Sequence, residues 1–299
     1  TYNLTVASVE GASVEVKAGG EAISPTAEDD NVYKVLPNVA VTVTYTALYG
    51  DDYTFTGDMV YSYDSLTEDI EINSLTSMLV AEEWTGGGDG VTWKDANNWS
   101  HKTIPNQNID ITFPRGDDDD VAFYTVYISN GAWWDNREMC KNMTVNGTVM
   151  LTSDANSSSW CYLSLFGDVD GTGALALKRA GLDNATTIDD NDGDQNYENR
   201  QIKINCNKFY VYKVDDGDSY LNGSEGFSIT DAEVWGLFNL NGTTEIASLK
   251  LYDGAKVYSK SSTSTISTLI VADGESAIAK ADGGVFTVQA YRSETSDSY

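Results

Sequence analysis

Ser248-Leu-Lys-Leu-Tyr-Asp-Gly-Ala-Lys-Val-Tyr-Ser-Lys260 and Thr268-Leu-Ile-Val-Ala-Asp-Gly-Glu-Ser-Ala-Ile-Ala-Lys280 are two copies of one pattern. At an offset of 20 residues, Leu249/Leu269, Asp253/Asp273, Gly254/Gly274 and Lys260/Lys280 are identical, and Leu251/Val271 is conservative. Each copy reads as a strand, an Asp-Gly turn and a second strand. A period near twenty is the length of one coil of a parallel β-solenoid. Such a coil cannot hide its inward face alone and buries it by lying on the next coil.

Earlier segments carry the same strand-Gly-strand shape more loosely. They are Met143-Thr-Val-Asn-Gly-Thr-Val-Met-Leu151, Leu163-Ser-Leu-Phe-Gly167, Gly173-Ala-Leu-Ala-Leu177, Lys208-Phe-Tyr-Val-Tyr-Lys-Val214 and Val234-Trp-Gly-Leu-Phe-Asn-Leu-Asn-Gly-Thr243. In 208–214, Phe209 and Val211 alternate with Tyr210 and Tyr212, so one of the two faces is open to binding. The competing arrangement for these strands is a second β-sandwich or a jelly roll.

Upstream lies Trp84-Thr-Gly-Gly-Gly-Asp-Gly-Val-Thr-Trp93-Lys-Asp-Ala-Asn-Asn-Trp99, followed by Ile104-Pro105-Asn and Asp110-Ile-Thr-Phe113-Pro. Glycines and asparagines permit tight turns, and three indoles are apolar plates able to cover the end of a sheet. This run resembles the opening of bacterial right-handed β-helix surface proteins, autotransporter passengers and adhesins among them. The resemblance covers about thirty residues (84–114). It implies a right-handed parallel β-helix over 80–299 whose first turn is formed or capped by Trp84–Phe113. It also implies a protein exported to the cell exterior and displayed on a bacterial surface.

Residues 1–79 read differently. Thr1–Val9, Ala12–Lys17, Val32–Leu36, Val39–Tyr45, Tyr53–Thr56 and Ile70–Asn73 are short strands with no helical period between them, the signature of a small immunoglobulin-like β-sandwich. This segment holds 13 acidic and 2 basic residues and lacks His, Cys and Trp. A spacer role fits it better than chemistry does. The residues at 75–83 read as the junction, because all seven Trp follow it. The fold class expected for the whole chain is therefore all-β.

The formal net charge is -28. Such a surface repels a phosphate backbone and an anionic membrane, which argues against nucleic-acid partners and membrane-surface binding. No apolar run has the length of a membrane-spanning helix. The start at Thr1 carries no signal-peptide pattern and reads as a mature or trimmed piece of an exported chain. Three cysteines, Cys140, Cys161 and Cys206, match no zinc or redox spacing and read as buried thiols.

Candidate site residues are few. His101, the only histidine, sits in a Trp- and Asn-rich turn without a nucleophile pattern and reads as structural. Catalytic residues and organic cofactors are expected to be absent. The acidic runs Asp117–Asp120 and Asp189-Asp-Asn-Asp-Gly193-Asp194 suggest calcium, which gathers carboxylate oxygens around a sharp Gly turn. The proposed ligands are Asp189, Asn191, Asp192 and Asp194, with a solvated loop as the alternative. Trp133 and Trp134 are candidate aromatic faces for a sugar ring, with core filling as the alternative. Asn-x-Ser/Thr triplets recur, and Asp64-Ser65-Leu66 is similar to a bacterial O-glycosylation acceptor.

Three functions follow. The first is a structural or adhesive surface module that grips a glycan or a surface protein along a lateral strand face, with self-association among its properties. The second is a carbohydrate-active β-helix enzyme of the polysaccharide-lyase kind, drawing a base from Arg179, Arg200 or Lys203. The third is a trimeric phage or injection-machine fibre.

Overall fold

The computed structural model describes residues 1–116, 122–129, 137–153, 161–184, 200–215, 217–223, 225–260, 262–272, 277–281 and 284–293. The chain is all-β, 57% strand and 2% helical, so the expected class holds. It divides into two compact units, Thr1–Ala81 and Glu82–Tyr299.

The first unit contains β1 (Tyr2–Val6), β2 (Ala12–Ala18), β3 (Glu21–Ala22), β4 (Val32–Val35), β5 (Val41–Ala47), β6 (Tyr53–Thr56), β7 (Val60–Tyr63), β8 (Ile70–Ile72) and β9 (Thr76–Leu79). They form sheets ordered β4-β1-β8, β3-β2-β5-β7 and β6-β9. Pairing is antiparallel except between β1 and β8, which run parallel. One core collects the inward residues of these strands, among them Leu4, Val6, Val16, Tyr33, Val35, Val43, Tyr45 and Ile72. The sequence reading found six of the nine strands. It passed over β3, β7 and β9, although its boundary at 79 left the β9 residues in the first domain. Thr54 and Phe55 of β6 pair with Met78 and Ser77, so β9 belongs to the first unit.

The second unit opens with β10 (Ala81–Glu83), paired with β11 (Asp110–Phe113). Then come β12 (Phe123–Ile128), β13 (Glu138–Cys140), β14 (Met143–Val145), β15 (Thr148–Ser153), β16 (Tyr162–Leu165), β17 (Val169–Asp170), β18 (Ala174–Lys178) and β19 (Gly181–Asn184). β20 (Ile202–Ile204), β21 (Lys208–Val211), β22 (Ser219–Asn222), β23 (Phe227–Val234), β24 (Leu237–Leu240), β25 (Thr244–Leu251), β26 (Lys256–Lys260), β27 (Thr263–Val271), β28 (Ala277–Ala281) and β29 (Val285–Ser293) complete it.

Pairing from β11 onward is parallel and falls into three columns. The first column runs β11-β14-β17-β20 into the leading halves of β23, β25, β27 and β29. The second runs β12-β15-β18-β21 into their trailing halves. The third is β13-β16-β19-β22-β24-β26-β28. Consecutive strands thus visit columns one, two and three in turn and come back one rung further along. These large parallel sheets curl into a half-barrel compatible with a β-helix-like fold.

Alternation aims every second side chain into the stack. Val126, Leu151, Leu177, Val211, Val234 and Leu251 are register partners in the second column, and each is fully buried. The close stacking of coils also explains Gly173. A Cβ there would lie 1.8 Å from the Gly147 carbonyl oxygen, so no larger residue fits.

The repeat read from sequence coincides with the strand register over its first half. Leu249 faces Leu269 and Leu251 faces Val271. Beyond the Asp-Gly turn the partners slip by one residue: Val257 faces Ile278 and Lys260 faces Ala281. The Lys260/Lys280 match is therefore not a contact pair. A strand has a side-chain period of two, so keeping the original offset would have placed Ile278 on the opposite face from the fully buried Val257. Apolar burial set the register over sequence identity.

Candidate lateral binding face

The Trp-rich segment is an architectural cap. Trp84, Trp93 and Trp99 are at most 1% exposed. Trp84 and Trp93 each meet the Trp99 ring edge-on with centroids 5.0 Å apart, and Phe113 lies under Trp84 at 5.5 Å. Trp99 Nε1 donates to the Trp93 carbonyl at 2.9 Å. Thr92 pairs in parallel with Tyr127, so Val91–Trp93 adds a rung above β12 while β10 adds one above β11.

The turn between them is organised by Asn98, which is fully buried. Its Oδ1 accepts from the Gly88 and Gly90 amides at 3.0 and 2.9 Å. Its Nδ2 donates to Asp89 Oδ1 at 2.8 Å and to the Thr92 carbonyl at 2.9 Å. Hydrogen bonds from Thr92, and then from the Val91 amide and Asn98, hold the Asp89 carboxyl far below its usual range. Amide bonds from Asp89 and Asn97 lower Asp95 in the same way. These carboxylates are engaged by the backbone. His101 belongs to the same turn: its amide donates to the buried Glu82 carboxylate at 2.9 Å.

The open chemistry lies on the outer side of the second column. Phe209 and Val211 point inward, leaving Lys208 and Tyr210 outside and Tyr212 at the corner. Val211, Val234 and Leu251 are register partners, so the residues that follow them, Tyr212, Trp235 and Tyr252, come into line. Tyr212 and Trp235 rings are 5.7 Å apart at 31°, and Trp235 and Tyr252 are 4.3 Å apart at 9°. Tyr210 lies 5.8 Å from Trp235. All four are half-buried. Because Trp235 and Tyr252 cover each other's faces, this ladder presents ring edges and hydroxyls outward.

Charges brace the ladder. Lys208 Nζ lies 2.6 Å from Asp231 and 2.9 Å from Glu233. Tyr252 donates its hydroxyl to Glu233 at 2.8 Å, and Lys250 sits 5.2 Å above the Tyr252 ring. Burial pulls the Glu233 carboxyl upward, but hydrogen bonds from Lys208 and Tyr252 outweigh it and leave the group below its usual value. The Asp231 hydrogen bond raises Lys208 above the usual lysine range. Beside this set runs a groove of about 290 Å³, where pairing lapses between the two halves of β23, β25, β27 and β29. Ser228, Thr230, Glu245, Thr265, Ser267 and Gln289 line it. Hydroxyls on three rungs, with one carboxylate and one amide, form a hydrogen-bonding surface on the same strands that carry the aromatic ladder at their trailing ends.

The structure separates the other sequence candidates. Arg200 pairs with Asp168 at 2.8 Å, and the Lys203 amide donates to the same oxygen. Arg179 lies apart from both, at a corner with φ of 56°. Cys140, Cys161 and Cys206 are free and buried, and burial pushes the Cys206 thiol up to about 11. Trp133, Trp134, Asp117–Asp120 and the calcium candidates Asp189, Asn191, Asp192 and Asp194 lie outside the described residues. Among the described residues, no group of three or more His, Cys, Asp and Glu could hold a metal ion.

Two features escaped the sequence reading. One is the ladder beyond Tyr212. Its signal was present, since Tyr-Val-Tyr212, Glu-Val-Trp235 and Lys-Leu-Tyr252 share a polar-aliphatic or aromatic-aliphatic lead into an aromatic ring. The other is the ion pair of Arg137 with the buried Asp183, which also accepts from Asn222 at 3.0 Å. Burial raises the Asp183 carboxyl against the opposing pull of Arg137. Nothing in the sequence links residues so far apart. A scan of family models, a search of curated proteins and a search of solved structures each return no match to this chain.

Proposed function

We propose that this chain is a non-enzymatic, exported surface module of the structural or adhesin type. In this reading its first unit is an immunoglobulin-like β-sandwich and its second a right-handed parallel β-helix. The second unit holds a glycan or surface protein along its lateral face. The observation that carries the reading is the in-register outer face of the second column, where the Tyr212–Trp235–Tyr252 ladder stands beside a hydroxyl-lined groove. Rungs recur every 4.8 Å or so, close to the length one pyranose adds to an extended glycan. A polar chain can therefore meet hydrogen-bonding groups on successive coils. The right hand is what the resemblance of the Trp-rich segment implies, and the preference of parallel crossover connections agrees with it. The acidic composition and the resemblance of the Trp-rich cap to β-helix surface proteins support export.

A glycan array probed with the parent chain and with Trp235→Ala tests this. Binding that the substitution weakens supports the reading, and absence of any glycan or protein ligand removes it. A lyase assay on the bound glycans, read as absorbance of the unsaturated product, separates binder from enzyme. Mass in solution separates a monomer from a trimeric fibre.

A further inference from the structure

A second groove, of about 420 Å³, crosses the outer face of the second column nearer the cap. Register places Tyr127, Thr152 and Lys178 in line on three successive coils. Thr125 and Arg179 complete the part of the lining that bears on recognition. In a chain of 46 acidic and 18 basic residues, two adjacent cations facing one groove are unusual. Neither Lys178 nor Arg179 has a carboxylate partner within ion-pair distance among the described residues. Asp215, which also lines the groove, makes none with them.

Arg179 is held in place by its own corner of the coil. Its φ is 56°, its amide donates to the buried Ser219 hydroxyl at 3.1 Å, and its side chain lies against Gly217. Thr125 and Tyr127 on one coil and Thr152 on the next alternate with buried residues, so their side chains stand on the outer face beside the two cations.

We infer that this groove binds a carboxylated sugar, a uronate unit of an acidic glycan. The exposed Tyr127 ring offers a face to the sugar's C–H side. The Thr125 and Thr152 hydroxyls suit its hydroxyl groups. The Arg179 guanidinium, with its fork of donors, and the Lys178 ammonium suit its carboxylate. Two hydroxyls beside an aromatic ring favour a sugar over an acidic peptide. The charge of the rest of the molecule does not forbid this, because distant carboxylates are screened beyond about 8 Å at physiological salt.

The inference rests on the lateral face being a binding surface, and the test separates the two. Calorimetry at physiological salt compares a galacturonate oligomer, its methyl ester and a sulfated galactan oligomer. The acid is expected to bind, the neutral ester to bind about ten-fold more weakly or worse, and Lys178→Gln/Arg179→Gln to lose a similar factor for the acid alone. Lys178→Gln by itself, at an exposed position, serves if the double variant fails to fold. Equal binding of acid and ester, or binding unchanged by the substitutions, overturns the uronate site and leaves the lateral reading intact. Tighter binding of the sulfated oligomer overturns the assignment of a carboxylate. No binding by any of the three also overturns the site, and the array with Trp235→Ala then decides the broader reading on its own.

Discussion

Asn98→Ala is the sharpest test of the cap. The side chain is fully buried and makes four hydrogen bonds, to Gly88, Gly90, Asp89 and Thr92. An ordinary intramolecular hydrogen bond contributes about 1 kcal/mol net, and a buried group left unsatisfied costs about 1–3 kcal/mol. Gly88 is exposed and Gly90 half-buried, so water replaces part of what their amides lose. The Thr92 carbonyl and Asp89 face the space Asn98 leaves behind. The expected loss is about 2–4 kcal/mol, near the size of a core Leu→Ala change. All seven tryptophans lie in the second unit, so tryptophan fluorescence during urea unfolding follows that unit without interference from the first. The two units call for separate fits. A loss below about 0.5 kcal/mol, typical of a surface change, would refute the claim that Asn98 organises the turn.

Further outcomes follow from the same geometry. Gly173→Ala forces a Cβ onto the Gly147 carbonyl and should cost about 3 kcal/mol or more by displacing a rung, whereas Gly254→Ala, with open space around it, should cost about 1 kcal/mol through its φ of 76°; urea midpoints compare them. Asp89 has a depressed folded-state pKa, so its contribution is present above the unfolded value near 3.9 and is lost as pH falls below it. The melting temperature of the second unit should therefore drop between about pH 5 and pH 2 more in the parent than in Asp89→Asn, and equal slopes would contradict this. Trp235→Ala breaks three ring contacts and should cost about 2 kcal/mol together with its buried area, seen as a lower urea midpoint.

The strand-turn-strand repeat over 248–280 made the rung plan legible before any coordinates, because Leu249 and Leu251 bury only on an equivalent strand. The Trp84–Phe113 segment announced a cap for a similar reason: three indoles and a Gly-rich turn suit little except the end of a sheet stack. The repeat also misled, at Lys260/Lys280, where a turn one residue longer shifts the second strand and identity no longer tracks contact. The lateral face was half legible. Tyr210 and Tyr212 stood out by alternation, but their stacking with Trp235 and Tyr252 depends on unequal loop lengths between coils.

By itself the sequence determined the all-β class and the acidic composition, and it favoured a parallel coil with a period near twenty and buried thiols, since these follow from composition and local alternation. Tertiary structure alone decided which rungs pair, where Lys208 meets Asp231 and Glu233, and that Lys178 and Arg179 line one groove with no carboxylate within ion-pair distance among the described residues. The physical reason is distance along the chain. Side chains one rung apart are neighbours across a strand spacing of about 4.8 Å, yet the number of residues between them varies with each loop, and no local pattern encodes that count.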